Sequence, residues 1–326
     1  QNSKNKAKIK TTRDRLILDS TLYFTTFKGY RQIPNVMAQT VELLLESVKL
    51  ENAVKLSYQL KKTQWVMPVQ IKRAREVIAN GEFDLAQFAK AEVSISQLLA
   101  KDNYPLSKFK IFHERRAQAI YKQAEQAKQS KDFRKAIQHY LRLGTIEPTS
   151  KVRINAEFDA ATLLLQIKDY KQAVIVLERF AKKYPKHPLA KQISAKLIVS
   201  FEALEDWKGA ATQYQLVAQT SVDKQESRNA LWLAATTWRK LDGAQYQKKS
   251  VSLWKKYIKG YPEPIDLALE ARNNLVVIYG QLKVKWKQDF WRRKIVKVVD
   301  KNNLKDIRSR TLAAQSLLSL ANNEFN

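Results

Sequence analysis

The residues best suited to metal binding or proton transfer in this chain are three isolated histidines, since it has no cysteine. His113, His139 and His187 each lack a second histidine or a carboxylate pair at the spacing of a metal site. We therefore expect His113 and His139 on helix surfaces and His187 in a turn. Acidic residues such as Glu157 and Asp159 are expected to be solvated partners of lysines on helix faces.

Sequence motifs of the common enzyme classes are also absent. The chain contains no GxSxG, Walker loop, GxGxxG or HExxH. A hydrolase with two carboxylates would have to hold them across a cleft, and no spacing in the sequence indicates such a pair. The sequence thus predicts a protein that is not an enzyme and has no cofactor.

The net charge is the most unusual property of the composition. Lys and Arg number 59 against 31 Asp and Glu, which gives a formal charge of +28 spread along the whole chain. A positive field of this size attracts polyanions and acidic proteins. We therefore expect weak, salt-sensitive binding to polyanions in vitro.

One basic stretch, residues 283–297, also carries aromatic side chains. In the first interpretation its cations bind phosphates, while Trp286 and Phe290 stack on bases or lie at a lipid interface. In the second, which we favour, the stretch is an amphipathic helix with Trp286 and Phe290 in the core and the cations outside. The candidate polyanion patch comprises Lys283, Lys285, Lys287, Arg292, Arg293 and Lys294.

The overall composition favours helices. Glycine (7) and proline (8) are scarce, whereas β-rich folds need many turns. No apolar run approaches the roughly 20 residues of a membrane span, so we predict no transmembrane segment. Because the first residue is Gln1 and not Met, we expect a mature form or an excised fragment.

An acid, an aromatic ring and an alanine recur at an interval of 37 residues, as DFRKA (132–136), DYKQA (169–173) and DWKGA (206–210). Large, mostly apolar residues follow four and seven positions after each alanine, which is the spacing of one helix face. An alanine-rich apolar segment precedes each acid. The repeated unit is therefore predicted to be two helices joined by a short turn.

Each of the three recurring residues has a predicted role in this hairpin. The acid begins the second helix, where a carboxylate suits the exposed N–H groups. The aromatic ring wedges between the paired helices, and alanines such as Ala173 and Ala210 let the helices touch. Tyr184-Pro185 and Tyr261-Pro262 are expected just past a helix end.

Residues 117–262 resemble the tetratricopeptide repeat (TPR) family, with units at about 117–153, 154–190, 191–227 and 228–262. The family's usual period is about 34. The stretch RFAKKYPKHPLAKQ (179–192) resembles a turn of bacterial envelope TPR proteins, such as the β-barrel assembly lipoprotein and the Tol–Pal coordinator of cell division. The resemblance implies an all-α, right-handed solenoid of helical hairpins with irregular helical ends. It further implies a periplasmic scaffold for protein partners, with the cytoplasm as the alternative.

TPR proteins usually bind ligands on a concave face formed mainly by first helices. The carboxylate clamp of chaperone-binding members is missing, because Tyr121 and Glu125 stand where its Lys and Asn would be. For Tyr121 and Phe158, packing between repeats is an equal alternative to ligand binding. By this resemblance the candidate partner-binding face comprises Gln118, Tyr121, Glu125, Lys128, Asn155, Phe158 and Thr162.

The flanks are less regular. Residues 1–34 are predicted to be a basic, partly disordered segment, and 35–116 an irregular helical region with one degenerate hairpin. Within that region, 88–105 resembles a second helix of the repeat. Residues 263–326 are predicted to form C-terminal helices.

Three functional hypotheses remain open. The first is a protein-interaction scaffold in a bacterial envelope complex, whose partner the sequence does not name. The second is a basic binder of nucleic acid or another anionic polymer, and the third is the non-catalytic helical arm of a cell-wall enzyme. The salt dependence of binding distinguishes the first two hypotheses, because affinity for polyanions falls steeply as ionic strength rises.

Overall fold

The computed structural model describes residues 2–324, and the side chains of residues 9–322. Over this part of the chain it contains sixteen α-helices and no β-strand. The helices are α1 (Asn2–Thr26), α2 (Ile33–Glu46), α3 (Leu50–Leu60), α4 (Pro68–Asp84), α5 (Phe88–Lys101), α6 (Leu106–Gln129), α7 (Phe133–Ile146), α8 (Val152–Gln166), α9 (Tyr170–Lys183), α10 (Ala190–Ala203), α11 (Trp207–Thr220), α12 (Lys224–Trp238), α13 (Ala244–Gly260), α14 (Ile265–Gln281), α15 (Lys285–Lys301) and α16 (Ile307–Glu324). None of these helices is both long and apolar enough to cross a bilayer.

The chain divides into an N-terminal unit, Gln1–Leu163, and a C-terminal unit, Leu164–Asn326. In the N-terminal unit the helices α1 to α7 pack chiefly on their neighbours in the chain. The same order holds from α9 to α16 in the C-terminal unit. Neighbour-only packing is what stacked hairpins produce, since no hairpin can bury its apolar stripe alone. The predicted all-α solenoid class is confirmed.

The recurring acids begin the second helices of their hairpins, as predicted. Asp132, Asp169 and Asp206 are the N-caps of α7, α9 and α11. Each carboxylate accepts a hydrogen bond from the backbone N–H three residues on, at 3.1, 3.2 and 2.9 Å respectively. The acid therefore satisfies an N–H group that the helix itself leaves without an acceptor.

The recurring alanines occupy buried positions of their helices. Ala136, Ala173 and Ala210 are fully buried, so the predicted burial is confirmed. Beside Ala210, a Cβ placed on Gly209 would lie 2.6 Å from the ring of Phe201. The helices α10 and α11 thus approach so closely that position 209 of α11 has no room for a side chain.

One turn geometry joins the helices of six hairpins within the described chain. In each, the residue before the second helix's N-cap has a left-handed φ of 55 to 61°, although none is glycine. The next N–H donates to the carbonyl five residues back at 2.8–2.9 Å, which is the Schellman arrangement. The left-handed residues are Val48, Ala86, Lys131, Lys168, Glu205 and Lys283.

This turn shows that residues 35–116 are more regular than predicted. They contain two hairpins, α2–α3 and α4–α5, instead of one degenerate hairpin. The α2–α3 hairpin was missed because Lys49 stands where the repeat has its acid, and its side chain does not cap α3. Gln87 holds the same place before α5 and does not cap its helix either. The turn is held by backbone hydrogen bonds, and these leave no sequence signature. In α5 the side chains of Ala91, Ile95 and Leu98 are fully buried.

The N-terminal segment is a helix where partial disorder was predicted for residues 1–34. Residue 1 lies outside the described residues, and α1 runs from Asn2 to Thr26. Its side chain Ile17 is buried in a cluster with Met37. Salt bridges from Arg13 to Glu46 (2.8 Å) and from Lys49 to Asp14 (2.7 Å) fix the same helix. These contacts with α2 and the turn after it stabilise a segment that composition alone would leave unfolded.

The remaining boundaries follow the sequence closely. Tyr184 and Tyr261 are the C-caps of α9 and α13, so Pro185 and Pro262 lie just past a helix end, as predicted. The three C-terminal helices are α14, α15 and α16.

Candidate partner-binding surfaces

The histidines and buried acids belong to structural networks. His113 Nδ1 lies 2.9 Å from the carboxylate of Glu147, which is almost fully buried and also accepts from Arg116 at 2.6 Å. His139 contacts Arg142, whose guanidinium forms a bidentate salt bridge with Glu92 (2.5 and 2.7 Å). Burial, and then the nearby Arg142 charge, lower the pKa of His139.

The third histidine and the two acids on α8 have different surroundings. His187 lies in the turn between α9 and α10, as predicted. The expectation that Glu157 and Asp159 are solvated partners of lysines is wrong. Glu157 is 1% exposed and pairs with Arg153 at 2.8 Å, because α8 packs this face inward. Among the described residues, no cluster of acids and histidines could hold a metal ion.

The candidate partner-binding face on α6 and α8 contains one connected network. The Tyr121 hydroxyl donates to Asp159 at 2.6 Å, and its ring lies 5.2 Å from the ring of Tyr140. Tyr140 in turn donates to Glu125, which pairs with Lys128 at 3.6 Å. Burial and hydrogen bonds to these carboxylates raise the pKa of both tyrosines. Tyr121 therefore does pack between successive hairpins.

The other residues of this face differ in their exposure. Gln118 and Phe158 are half-buried, while Asn155 is exposed. The Thr162 hydroxyl donates to the carbonyl of Phe158 at 3.0 Å and so is directed back to its own helix. Partner binding by this face stays a prediction.

The candidate polyanion patch is not one surface. Lys283 occupies the turn before α15, and Arg292 is paired with Asp289 at 2.8 Å. Lys287 is half-buried, with its ammonium 5.5 Å from the centre of the Tyr279 ring. The exposed members are Lys283, Lys285, Arg293 and Lys294.

The favoured orientation of α15 was wrong. Trp286 is 71% exposed and Phe290 is 45% exposed, so neither points into the core. The inward side chains are Trp291, Ile295 and Val299, which pack in the hydrophobic clusters of the C-terminal helices. At about 100° per residue, Ile295 lies on the opposite side of the helix from Trp286 and Phe290.

A cleft that the sequence did not predict lies within the C-terminal unit, between the end of α9 and the start of α12. We call it the α9–α12 cleft, and its volume of about 410 Å³ is typical of ligand pockets. Its walls include Ile193, Leu216 and Val217. The Oε1 atom of Gln213, which also lines the cleft, is buried and has no hydrogen-bond donor among the described residues.

A break in the repeat pattern lies beside this cleft. Pro148 and Pro185 follow two of the recurring helices, whereas Val222 stands at the third such place. There α11 and α12 are separated only by residues 221–223, and Val222 is 91% exposed at the rim. The sequence shows that position 222 lacks the proline. It does not show the cleft beside this position, because the cleft depends on how the helices pack.

A protein-family comparison matches the part of the chain that carries the 37-residue repeat. Residues 113–264 match a family model described as YfiO, an outer membrane lipoprotein. The match begins within α6 and continues past the end of α13, and so includes the hairpins with the recurring acids and alanines. The predicted resemblance is thereby confirmed.

Several solved structures are also similar to this chain. A structure of Naa15/Naa10 bound to HypK-THB is 16% identical, with a TM-score of 0.39, over 87% of this chain and 39% of that chain. Pseudomonas aeruginosa pilF is 14% identical (TM-score 0.28; 77% and 97% covered). A TPR protein from Parabacteroides merdae is 12% identical (TM-score 0.30; 87% and 98% covered). Among curated proteins, none matches the chain.

Proposed function

We propose that this protein is a non-enzymatic TPR-type scaffold that binds a segment of a partner protein in a bacterial envelope complex. The family match supports the envelope, and we place the protein in the periplasm, with the cytoplasm as the alternative. The observation that carries the binding role is the α9–α12 cleft with its apolar lining, where Leu216 is 44% exposed and Val222 is 91% exposed. Exposed apolar side chains favour a partner that covers them, because they then leave water.

The chemistry of the cleft suits an extended peptide. An apolar side chain fits against Leu216 and Val217, which keep apolar surface in the cleft. Asp223 and Glu226 at one end provide negative charge in an otherwise basic protein, so a cationic side chain beside the apolar one would add to binding.

The test uses peptides selected from a random library on the full chain, with binding measured by fluorescence anisotropy at about 50 and about 500 mM salt. We expect affinity to persist at high salt because apolar burial is not screened. Leu216→Glu should weaken binding by about tenfold or more. The matched control is Val199→Glu, since Val199 is 53% exposed on α10 and does not line the cleft.

Two results would contradict this function. Peptides whose affinity falls by orders of magnitude with salt would favour the binder of anionic polymers instead. Equal losses in Leu216→Glu and Val199→Glu would show that the cleft is not the binding site.

A further inference from the structure

The outward side of α15 carries an exposed row of aromatic and cationic side chains. Trp286, Phe290, Arg293, Lys297 and Lys301 follow at intervals of 4, 3, 4 and 4 residues. At about 100° per residue, all five lie within a sector of about 80°, opposite the buried Ile295. We call this row the α15 outer stripe.

Exposed aliphatic side chains of α16 adjoin the α15 outer stripe. A shallow cleft between the two helices is lined by Arg293, Lys297 and Lys301 together with Leu317 and Leu320. Leu317 is 53% exposed, and the adjacent Leu318 is 65% exposed. Apolar and cationic groups thus share one continuous surface within the C-terminal unit.

The cations of this surface are free to bind an external anion. Within the described side chains, Arg293, Lys297 and Lys301 form no salt bridge, and Asp300 is the one acid that lines the same cleft. The other nearby acid, Asp289, is bound to Arg292 at 2.8 Å. Three cations against one acid therefore leave this cleft with a net positive charge.

We propose that the α15 outer stripe, with Leu317 and Leu318, docks on the surface of an anionic phospholipid bilayer. Arginine and lysine side chains bind lipid phosphates, and an indole ring is suited to the boundary between headgroups and acyl chains. Leucine side chains beside them enter that boundary and gain from leaving water. This peripheral contact needs no membrane-spanning helix.

The leucines distinguish a bilayer from nucleic acid as the ligand. Single-stranded nucleic acid uses aromatic rings for stacking and cations for phosphates, and Trp286, Phe290 and the three cations would serve either ligand. Exposed Leu317 and Leu318 have no counterpart in that chemistry, whereas a lipid interface accepts them directly. The surface also lies on different helices from the α9–α12 cleft, so this proposal does not depend on peptide binding.

The test is co-sedimentation of the full chain with vesicles of phosphatidylglycerol and phosphatidylcholine, compared with phosphatidylcholine alone. We expect binding only when phosphatidylglycerol is present. The stripe variant Arg293→Gln, Lys297→Gln, Lys301→Gln should reduce vesicle affinity by about tenfold or more. The control Lys171→Gln, Lys182→Gln, Lys208→Gln removes the same charge from exposed sites on α9 and α11, and should reduce it by less than about threefold.

A second variant tests the apolar part of the contact. Trp286→Ala removes a ring that is 71% exposed and leaves the net charge unchanged. We expect it to lower vesicle binding, and the loss to remain at about 500 mM salt, where attraction between charges is screened. Its circular dichroism should match that of the wild type.

Three outcomes would overturn the proposal. Equal losses in the stripe and control variants would mean that total charge alone drives binding. Wild-type affinity in Trp286→Ala would exclude insertion of the ring. Sedimentation with DNA but not with vesicles, lost in the stripe variant, would identify nucleic acid as the ligand of this surface.

Discussion

The Tyr121 hydroxyl on α6 donates a hydrogen bond to the Asp159 carboxylate on α8 at 2.6 Å. The same ring packs on Tyr140 of α7, with 5.2 Å between the ring centres. One side chain therefore connects a hairpin to the first helix of the next. Stacked repeats gain their stability from such contacts between neighbours.

Removing this hydroxyl separates the structural role of Tyr121 from a role in partner binding. We expect Tyr121→Phe to lower the free energy of unfolding by about 1 kcal/mol, because a hydrogen bond is lost while the ring stays in place. Urea denaturation measures the change. The control is Tyr30→Phe, since Tyr30 is 61% exposed and its hydroxyl forms no hydrogen bond within the described residues. Unchanged stability in Tyr121→Phe would show that the hydrogen bond to Asp159 does not stabilise the fold.

The fully buried alanine of the second recurring motif gives a further stability prediction. Ala173 on α9 is 0% exposed, in close contact with the side chains that cover it. Ala173→Leu overpacks this contact and should lower the free energy of unfolding by about 1–3 kcal/mol. The matched control is Ala203→Leu, at an exposed position of α10 in the same unit. Similar thermal unfolding of both variants would show that the packing around Ala173 accommodates the larger side chain.

The sequence predicts the hairpins well where side chains specify the turn. Asp132, Asp169 and Asp206 cap their helices, and the spacing of these acids locates the repeat directly. At Lys49 and Gln87 the same turn forms without a capping side chain, so only the backbone shows it. Reading the turn from side chains therefore misses hairpins whose turn depends on backbone hydrogen bonds.

The orientation of α15 shows a different limit of sequence analysis. The helix has two apolar faces, one with Trp286 and Phe290 and the other with Trp291 and Ile295. Periodicity identifies both but does not say which of them a neighbouring helix covers. Burial settles the choice, with Ile295 at 0% and Trp286 at 71% exposure. The α9–α12 cleft was equally out of reach, because it depends on how Gln213 and its neighbours pack.

The left-handed turn residues predict positions where glycine stabilises the protein. Val48 has a φ of 57° and is 87% exposed, so a β-branched side chain occupies a conformation that only glycine adopts without strain. Val48→Gly removes a conformational strain of about 1–2 kcal/mol from the folded state. It also adds roughly 0.5–1 kcal/mol to the backbone entropy that is lost on folding. We expect a small gain, visible as a higher melting temperature.

The control for this prediction is the same substitution inside a helix. Val93 is 56% exposed on α5, where glycine should destabilise by roughly 0.5–1 kcal/mol. Calorimetry of the two variants should therefore give shifts of opposite sign. A drop in melting temperature for Val48→Gly as large as that for Val93→Gly would show that the turn stores no strain.

The salt bridge between Glu42 on α2 and Arg73 on α4 predicts a pH dependence of stability. Two hydrogen bonds join the groups, at 2.8 and 2.9 Å. The bond from Arg73 holds the pKa of Glu42 below its ordinary value of 4.5. A carboxyl whose pKa is lower in the folded state stabilises it above the unfolded pKa, and this contribution is lost as the pH falls through the folded value. Because both side chains are about half exposed, we expect no more than about 1 kcal/mol at neutral pH.

Glu42→Gln measures this contribution, because it replaces the carboxylate with a neutral group of the same shape. Urea denaturation from pH 7 down to about pH 3 should show the variant less stable than the wild type at neutral pH. The two should converge only as the pH falls below the lowered pKa that this carboxyl has in the folded state, where the wild-type side chain is protonated as well. Glu51→Gln controls for the loss of one negative charge, since Glu51 is exposed and forms no salt bridge within the described residues. A gap between Glu42→Gln and the wild type that persists at the lowest pH would mean that packing of this side chain, and not its charge, stabilises the contact.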